Sequence, residues 1–280
     1  SFCGRSFADW IRDNALEMVD IYTGKMRWQC NMHGECTIAT DPNPYTHRNA
    51  VIIGTDGDDS IDIPVGYHHC VAGLGGDDTI TVAAGMHIIE GGDGNDTIRT
   101  NGPHVTIYGG EGDDKIYPGN GYHLIDAGLG NDLIDSGNRS GSHLIVGGEG
   151  DDTIRAGEGA NTLVGGSGND ILEAGNGDNV VWGNEGNDKI RMGNGDDIIA
   201  PGDGNSLILV GNGDNSISTE SPQDDQVYIC FGEGNNSVYA GWSSTSLCSA
   251  VQNSNIHDNS CRPTLTTEEC SLGAYLGWEP

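Results

Sequence analysis

The strongest constraint on the fold of this chain is a nine-residue repeat, Gly-Gly-x-Gly-x-Asp-x-U-x, in which U is a large aliphatic residue. Its clearest copies are residues 91–99 (GGDGNDTIR) and 147–155 (GGEGDDTIR). A unit this short cannot bury an apolar face alone, so successive units have to stack. Each unit predicts a six-residue turn followed by a three-residue strand, and two units make one 18-residue coil. The sequence therefore predicts an all-β, right-handed parallel β-roll solenoid.

The eighth position of every unit is predicted to point inward. Coils stack at the strand spacing of about 4.8 Å, so these positions should form two aliphatic ladders. The turns fall into two alternating series, the side A turns and the side B turns. The ladder after the side A turns is Ile61, Ile80, Ile98, Ile116, Ile134, Ile154, Leu172, Ile190 and Ile208. The ladder after the side B turns is Ile89, Ile107, Ile125, Ile145, Leu163, Val181, Ile199 and Ile217.

The sixth position of the side A turns is an aspartate in eight successive coils. These are Asp59, Asp78, Asp96, Asp114, Asp132, Asp152, Asp170 and Asp188, and Ser206 ends the row. The glycines of each turn permit backbone conformations closed to other residues and let carbonyl groups converge. A carboxylate among several carbonyl oxygens suits Ca²⁺, which takes 6–8 oxygen ligands, better than Mg²⁺ or Zn²⁺. With one ion between each pair of neighbouring coils, the row predicts roughly seven calcium sites.

On this motif, residues 54–218, about 60% of the chain, resemble the β-roll of the RTX (repeats-in-toxin) family. In that family the aspartate ligates calcium, and the roll folds when the chain meets millimolar calcium outside the cell. The resemblance implies calcium-dependent folding here, carried by the same eight aspartates. Members are usually poor in Cys, and many carry an uncleaved C-terminal export signal. This C-terminal segment is rich in Cys instead, which leaves the export route open.

The side B turns have a different sixth position. It reads His68, His87, Val105, His123, His143, Asn161, Asn179, Asp197 and Asn215. Because imidazole is a poor calcium ligand, we expect this edge to be free of calcium in the N-terminal coils, with Asp197 as a further calcium candidate.

The histidines of this edge have three interpretations. They form a stacked, hydrogen-bonded ladder where the ion is absent, or a transition-metal site, or a pH-sensitive edge. A metal site would use His68 with His87, or His123 with His143, on neighbouring coils. Zinc requires three or four ligands, and the sequence does not locate the others.

The net charge excludes several kinds of partner. The 280 residues include 42 acidic and 12 basic side chains, a formal charge of −30. This charge disfavours binding to nucleic acid or to anionic membranes. No stretch approaches the ~20 apolar residues of a membrane span. The chain begins with Ser1, which we expect of a mature or trimmed form and which agrees with removal of a signal peptide.

Eight cysteines lie at the two ends of the chain and none lies in the central repeats. They are Cys3, Cys30, Cys36, Cys70, Cys230, Cys248, Cys261 and Cys270. An even number grouped in this way predicts two disulfide-tied ends in an oxidising compartment, and hence a secreted protein. Zinc is the competing explanation, although the sequence contains no CxxC pair.

Three regions follow from these patterns. Residues 1–50 are predicted to form an N-terminal cap with a short helix, from about Phe7 to Asp20. Residues 51–218 form the calcium-binding roll. Residues 219–280 form a degenerate last coil and a Cys-rich C-terminal cap, since a solenoid needs both ends covered.

The outward positions of the strands differ between the two series. After the side A turns they form a mixed polar row, which resembles a sugar-binding face and equally a solvated surface with charge pairs. This row is Arg99, Tyr117, Asp135, Arg155, Glu173 and Arg191. After the side B turns they form an apolar stripe, which we expect the chain's own ends or a second subunit of a homodimer to cover. The stripe is Ile88, Leu124, Leu144, Val146, Val164, Val180, Trp182, Ile198 and Ala200.

No catalytic motif is evident. The chain lacks the HExxH, GxSxG and P-loop patterns. The sequence therefore favours a non-catalytic extracellular structural or adhesive protein that binds calcium and contacts a polysaccharide or cell-surface component. The alternative is a carbohydrate-active enzyme of lyase or epimerase type on the solenoid face. Its candidate residues are Arg99, His104, Tyr108, Tyr122 and His123. An ice-binding roll is a remote alternative, because the third turn positions form an irregular acidic row.

Overall fold

The computed structural model describes residues 28–30, 36–38, 49–63, 68–137, 141–219, 225–240, 244–249 and 255–257. All regular structure in these ranges is β-strand. Within them, no helix is long and apolar enough to cross a membrane. The predicted helix over residues 7–20 and most of the two predicted caps lie outside the described ranges. The boundaries of the three predicted regions stay a prediction. By its internal contacts the chain divides into two compact units.

Unit 1 comprises residues 1–139 and 143–145. Its strands are β1 (Trp28–Cys30), β2 (Cys36–Ile38), β3 (Asn49–Ile53), β4 (Ser60–Ile63), β5 (His68–Gly75), β6 (Thr79–Val82), β7 (Met86–Asp93), β8 (Thr97–Thr100), β9 (His104–Glu111), β10 (Lys115–Tyr117), β11 (Tyr122–Leu129) and β12 (Leu133–Asp135). One sheet has the order β2-β1-β3-β5-β7-β9-β11, and the other has the order β12-β10-β8-β6-β4. Strand β1 pairs antiparallel with β2 and β3.

Unit 2 comprises residues 140–142 and 146–280. Strand β13 (Leu144–Glu149) begins in unit 1 and ends in unit 2. The strands that follow are β14 (Thr153–Ala156), β15 (Thr162–Ser167), β16 (Ile171–Ala174), β17 (Val180–Glu185), β18 (Lys189–Met192), β19 (Ile198–Asp203), β20 (Ser206–Val210), β21 (Ser216–Thr219), β22 (Gln226–Phe231), β23 (Ser237–Ala240), β24 (Ser244–Ser249) and β25 (Asn255–His257). One sheet has the order β15-β17-β19-β21-β23-β25, and the other has the order β24-β22-β20-β18-β16-β14.

The register of the parallel strands confirms the predicted coil length. In unit 1, Ile98 lies opposite Ile116, and in unit 2, Leu172 lies opposite Ile190, each an offset of 18 residues. The all-β parallel solenoid of 18-residue coils is therefore the observed fold. A larger offset occurs where a coil is longer, as between β20 and β22, where Ser206 lies opposite Val227, 21 residues later in the chain.

Both predicted aliphatic ladders are buried. Sixteen of their seventeen side chains are fully shielded from solvent, and Ile61 is 4% exposed. Strand alternation places every second residue inward, so each ladder position is flanked by outward side chains. The prediction missed a second inward layer where the shorter strands end, which includes Ile63, Val82, Met192 and Val210. The core of each unit is thus a narrow stack of aliphatic side chains between two parallel sheets.

The outward rows are exposed to different degrees. In the apolar stripe, Leu144 is 42% exposed and Ile198 is 54% exposed. In the polar row, the Arg155 Nε lies 3.0 Å from the Glu173 Oε2, and both side chains are partly exposed. Exposed pairs of this kind are typical of a solvated surface and contribute little stability.

Adjacent residues of β19 test this core. Replacing Ile199, which is fully buried, with Ala should lower the free energy of unfolding by about 2–5 kcal/mol, because it leaves a cavity. The same change at the exposed Ile198 should alter it by less than about 0.5 kcal/mol. Thermal unfolding in saturating calcium measures both. Equal losses at the two positions would show that the ladder is not the core.

Candidate metal centre

Seven of the eight side A aspartates lie in a buried row along one edge of each unit, and Asp59, the first, is partly exposed. Each one closes the turn between a strand of the first sheet and a strand of the second. In six of them, Asp78, Asp96, Asp114, Asp132, Asp170 and Asp188, the Oδ1 accepts a hydrogen bond from the backbone N–H of the side A aspartate one coil earlier. The Asp78 nitrogen lies 2.7 Å from the Asp96 Oδ1, and the Asp152 nitrogen lies 2.8 Å from the Asp170 Oδ1. One oxygen of each of these six carboxylates therefore holds the coils in register.

In five of these residues the second carboxylate oxygen is left without a donor, whereas the Asp59 Oδ2 accepts hydrogen bonds from the Thr55 N–H and hydroxyl. The Oδ2 atoms of five residues are buried and receive no hydrogen bond: Asp78, Asp96, Asp114, Asp170 and Asp188. A Cβ added at Gly91 would collide with the Asp96 Oδ2 and with the carbonyl oxygen of Gly109 in the next coil. The same pair of oxygens surrounds the first glycine of other side A turns, namely Gly73, Gly109, Gly147, Gly165 and Gly183. Each turn thus encloses a small volume faced by a carboxylate and a carbonyl oxygen.

The residues present fit a calcium ion in this volume. Two oxygens that face each other without a donor repel, and a cation between them removes the repulsion. An all-oxygen environment with one carboxylate per turn suits Ca²⁺. Glycine leaves the volume free of side chains, and in the same turn Gly92 (φ 126°) and Gly94 (φ 127°) adopt left-handed conformations that other residues resist. The assignment of the eight aspartates as calcium ligands stays a prediction that this geometry supports.

Burial makes these carboxylates poor anions in the absence of a cation. It raises the pKa of Asp96 to about 7 and that of Asp114 to about 8, and the neighbouring carboxylates raise both further. The backbone hydrogen bond to each carboxylate lowers the pKa, but by less than burial raises it. The buried carboxylates are therefore stabilised by a bound cation or, without one, by protonation.

On side B of unit 2, asparagine amides pair with the oxygens that converge in the turn. The Asn161 Nδ2 donates to the carbonyl oxygens of Gly157 (3.1 Å) and Gly159 (2.9 Å) in its own turn. It also donates to the Asn179 Oδ1 in the next coil, at 3.2 Å. Asn179 repeats the pattern with its own glycines and with Asp197. An N–H donor thus occupies the position among oxygens that a cation would take, as the ladder interpretation of this edge predicts.

Side B of unit 1 is a row of buried imidazoles. The rings of His69 and His87 are parallel within 7° at 5.4 Å, and those of His123 and His143 within 7° at 5.0 Å. The prediction placed His68 in this row and is corrected to His69. Ten residues separate Asp59 from His69, whereas nine separate Asp78 from His87. This one extra residue shifts the register, and the repeat pattern alone does not show where it enters.

Stacked rings do not converge on a shared ion. The lone pair of an imidazole nitrogen lies in the ring plane, and two parallel, separated planes have no point in common where a metal could sit. Among the described residues, no group of three or more His, Cys, Asp or Glu side chains could hold a metal ion. Burial lowers the pKa of His143 to about 4 and also lowers that of His123, which favours neutral rings. This geometry favours the stacked ladder, and a transition-metal site stays untested.

Asp197 is the one acid in the amide ladder of unit 2. Its Oδ1 accepts from the Asn179 nitrogen (2.9 Å) and Nδ2 (3.0 Å), and its Oδ2 is buried with no donor. The residue five positions earlier is Met192, whereas seven of the eight side A turns have glycine there and the turn of Asp132 has Ala127. Asp197 therefore has a buried carboxylate oxygen without a donor, as side A sites do. It lacks the glycine that keeps the volume beside that oxygen free of side chains. Its role as a calcium ligand stays a prediction.

Comparison with known families agrees with this geometry. The family model described as the RTX calcium-binding nonapeptide repeat matches four segments: residues 90–122, 141–172, 164–199 and 173–208. A search of curated proteins finds no match to the chain. The matched segments contain side A turns of both units and the turn of Asp197. The sequence pattern missed one further amide of the side B ladder, Asn236, because its repeat is degenerate and lies 21 residues beyond Asn215.

Substitutions at Asp96 separate the two roles of a side A carboxylate. Asp96→Asn keeps an acceptor for the Asp78 N–H and places an amide where the ion would bind, so it should reduce the calcium count by about one and leave the fold intact. Asp96→Ala should also reduce the count, and it should cost a further 1–3 kcal/mol, roughly, because the buried Asp78 N–H loses its acceptor. Calorimetric titration and unfolding in saturating calcium measure these effects.

The matched control for these variants is Asp93→Asn, which makes the same change in charge at an exposed position of the same turn. It should leave the calcium count unchanged. An unchanged count in Asp96→Asn, or equal stability of the Asn and Ala variants, would refute this assignment.

Protonation of the side A aspartates at low pH should partly replace calcium in stabilising the fold. The pKa values of Asp78, Asp132 and Asp170 are raised to about 6, against an unfolded value near 3.9. Their contribution to stability is therefore present below about pH 4 and is lost as the pH rises through about 6. His123 and His143 act in the opposite sense, but the raised aspartates outnumber them. In metal-free buffer, far-ultraviolet circular dichroism should show more β-structure at pH 4.5 than at pH 8. Loss of β-structure on acidification would contradict this.

Proposed function

We propose, from the RTX calcium-binding nonapeptide repeats at residues 90–122 and 141–208, that this chain is a secreted protein whose roll folds on calcium. In this proposal it acts outside the cell as a non-catalytic structural or adhesive module that contacts glycans. The eight side A aspartates hold calcium between coils, and the roll is assembled where calcium is abundant.

The observation that carries the proposal is the row of buried carboxylate oxygens without donors. A buried, unpaired anion is strongly unfavourable, and here one recurs at Asp78, Asp96, Asp114, Asp170 and Asp188. The formal charge of −30 adds repulsion between all parts of the chain. Bound calcium removes both penalties, so the free energy of ion binding becomes part of the free energy of folding.

The cysteines support an extracellular setting. Cys70 and Cys230 are disulfide-bonded. The backbones of Cys30 and Cys36 lie opposite each other in β1 and β2, and Cys248 lies opposite Cys230 in neighbouring strands. Disulfides persist in oxidising compartments, which are also those where calcium is millimolar. The two requirements for a stable fold therefore coincide outside the cell.

A contact role, in place of catalysis, agrees with the surfaces of the roll. The outward rows are made of side chains one strand spacing apart. Such a surface offers many equivalent weak contacts, which suits an extended ligand with repeating units. Glycans of the cell surface or matrix are ligands of that kind.

Removal of calcium should unfold the roll. In excess EDTA at neutral pH, the far-ultraviolet signal of the parallel sheets should be lost, and millimolar calcium should restore it, because the side A carboxylates repel one another without the ion. Magnesium at the same concentration is the control and should not restore the signal, since it prefers water and rigid octahedral geometry. A cooperative fold that persists in EDTA would refute the proposal.

A further inference from the structure

The outward face of strands β7, β9 and β11 in unit 1 carries an exposed aromatic pair. The rings of His104 and Tyr122 stack at 5.6 Å with an interplanar angle of 16°. Tyr122 is 62% exposed, and Leu124, two residues along the same strand, is 40% exposed. The pair therefore presents an aromatic and apolar platform to solvent that the calcium-dependent fold does not require.

A row of two carboxylates and a tyrosine lies beside this platform. Tyr108 lies opposite Glu90 in one neighbouring strand and opposite Asp126 in the other. Strands are about 4.8 Å apart, so one acidic residue flanks the tyrosine on each side. The strands alternate inward and outward residues, and all three of these side chains are on the outward face. The platform and this row together form the tyrosine–carboxylate face.

The charge of this face has one sign. Strands β7, β9 and β11 contain eight residues each and include no Lys or Arg. Their four acids are Glu90, Asp93, Glu111 and Asp126. A surface of this composition attracts cationic groups and repels polyanions, and the net charge of the chain reinforces both effects.

We propose that the tyrosine–carboxylate face binds a polymer of amino sugars. The carboxylates of Glu90 and Asp126 would pair with its ammonium groups, which the face of Tyr108 also attracts by cation–π interaction. The apolar face of a sugar ring would pack on Tyr122 and Leu124. This inference rests on the proposed glycan-contacting function and specifies its ligand as cationic, excluding polyuronic acids.

The arrangement of these side chains in rows on one sheet favours a polymer over a small ammonium compound. Aromatic cages for single ammonium ions surround the cation, whereas these side chains lie in rows on one sheet. One exposed cation–π contact contributes about 0.5–1 kcal/mol, too little to hold a monomer. A chain with an ammonium group on every unit makes several such contacts at once, and the effective concentration of each successive unit is high.

The test is binding of the full chain to four oligomers of equal length, in millimolar calcium and mildly acidic buffer, in which the sugar amines are protonated. These are oligoglucosamine, its N-acetylated form, oligogalacturonate and oligolysine. Isothermal titration should show binding to oligoglucosamine, at least tenfold weaker binding to the N-acetylated form and none to oligogalacturonate. Circular dichroism confirms in each case that the roll is folded.

Two sets of variants locate the site. Tyr108→Ala combined with Tyr122→Ala should weaken binding of oligoglucosamine at least tenfold without any change in net charge. Asp126→Asn should weaken it as well. Tyr228→Ala, at a tyrosine of unit 2 that is 37% exposed, is the matched control and should have no effect.

The outcomes separate this inference from the proposed function. Equal binding of oligolysine and oligoglucosamine that the tyrosine variants do not alter would show attraction by net charge alone and overturn the inference. Binding of the N-acetylated or galacturonate oligomer in preference would overturn it too, while the glycan-contacting function would stand. If the folded chain binds none of the three sugars, both the ligand and the glycan-contacting function fail.

Discussion

The structure depends on the stacking of one buried carboxylate above another along side A of the roll. Two unit charges about 4.8 Å apart repel by roughly 3.5 kcal/mol at an effective dielectric constant of 20. The parallel register imposes that spacing, because each Oδ1 is held by the N–H of the preceding coil, as between Asp78 and Asp96. The carboxylates therefore cannot separate without loss of the hydrogen bonds that keep the coils in register. A cation between the coils would keep both the charges and the register.

The two edges of the roll apply different chemistry to the same backbone geometry. On side A the oxygens of the turn face a carboxylate, and an ion is needed between them. On side B of unit 2 the Asn161 Nδ2 donates to the equivalent carbonyl groups, and on side B of unit 1 the His87 Nε2 lies 3.1 Å from the Ala83 oxygen. The row of donorless carboxylate oxygens thus lies on side A, and Asp197 is its one counterpart on side B of unit 2. The side B asparagines provide hydrogen bonds of their own in any ionic medium.

The period of the repeat was sufficient to predict the coil length, both aliphatic ladders and the alignment of the side A aspartates in one row. A strict spacing leaves a parallel strand no other register that buries Ile98 and Ile116 together. The pattern failed where spacing changed. One added residue put His69 in the ladder in place of His68, and a 21-residue coil concealed Asn236.

Two features of the site depend on contacts across coils, which a linear pattern does not contain. One is the direction of the side A hydrogen bonds, in which a carboxylate accepts from the backbone N–H of the coil before it. The other is the orphaned Oδ2, which is visible only when the neighbouring carbonyl groups are in place. The pairing of Tyr108 with Glu90 and Asp126 was likewise hidden, because the three residues are 18 positions apart and become neighbours only in the folded sheet.

The most direct test of the central claim is elemental analysis of the purified chain after dialysis against metal-free buffer with trace calcium. The account predicts about seven calcium ions per chain, the number that eight aspartates in register provide for, and no stoichiometric transition metal. One or two equivalents of zinc, copper or nickel, or a folded chain with no calcium, would contradict it. The first of these results would assign the side B histidines a metal in spite of their stacked geometry.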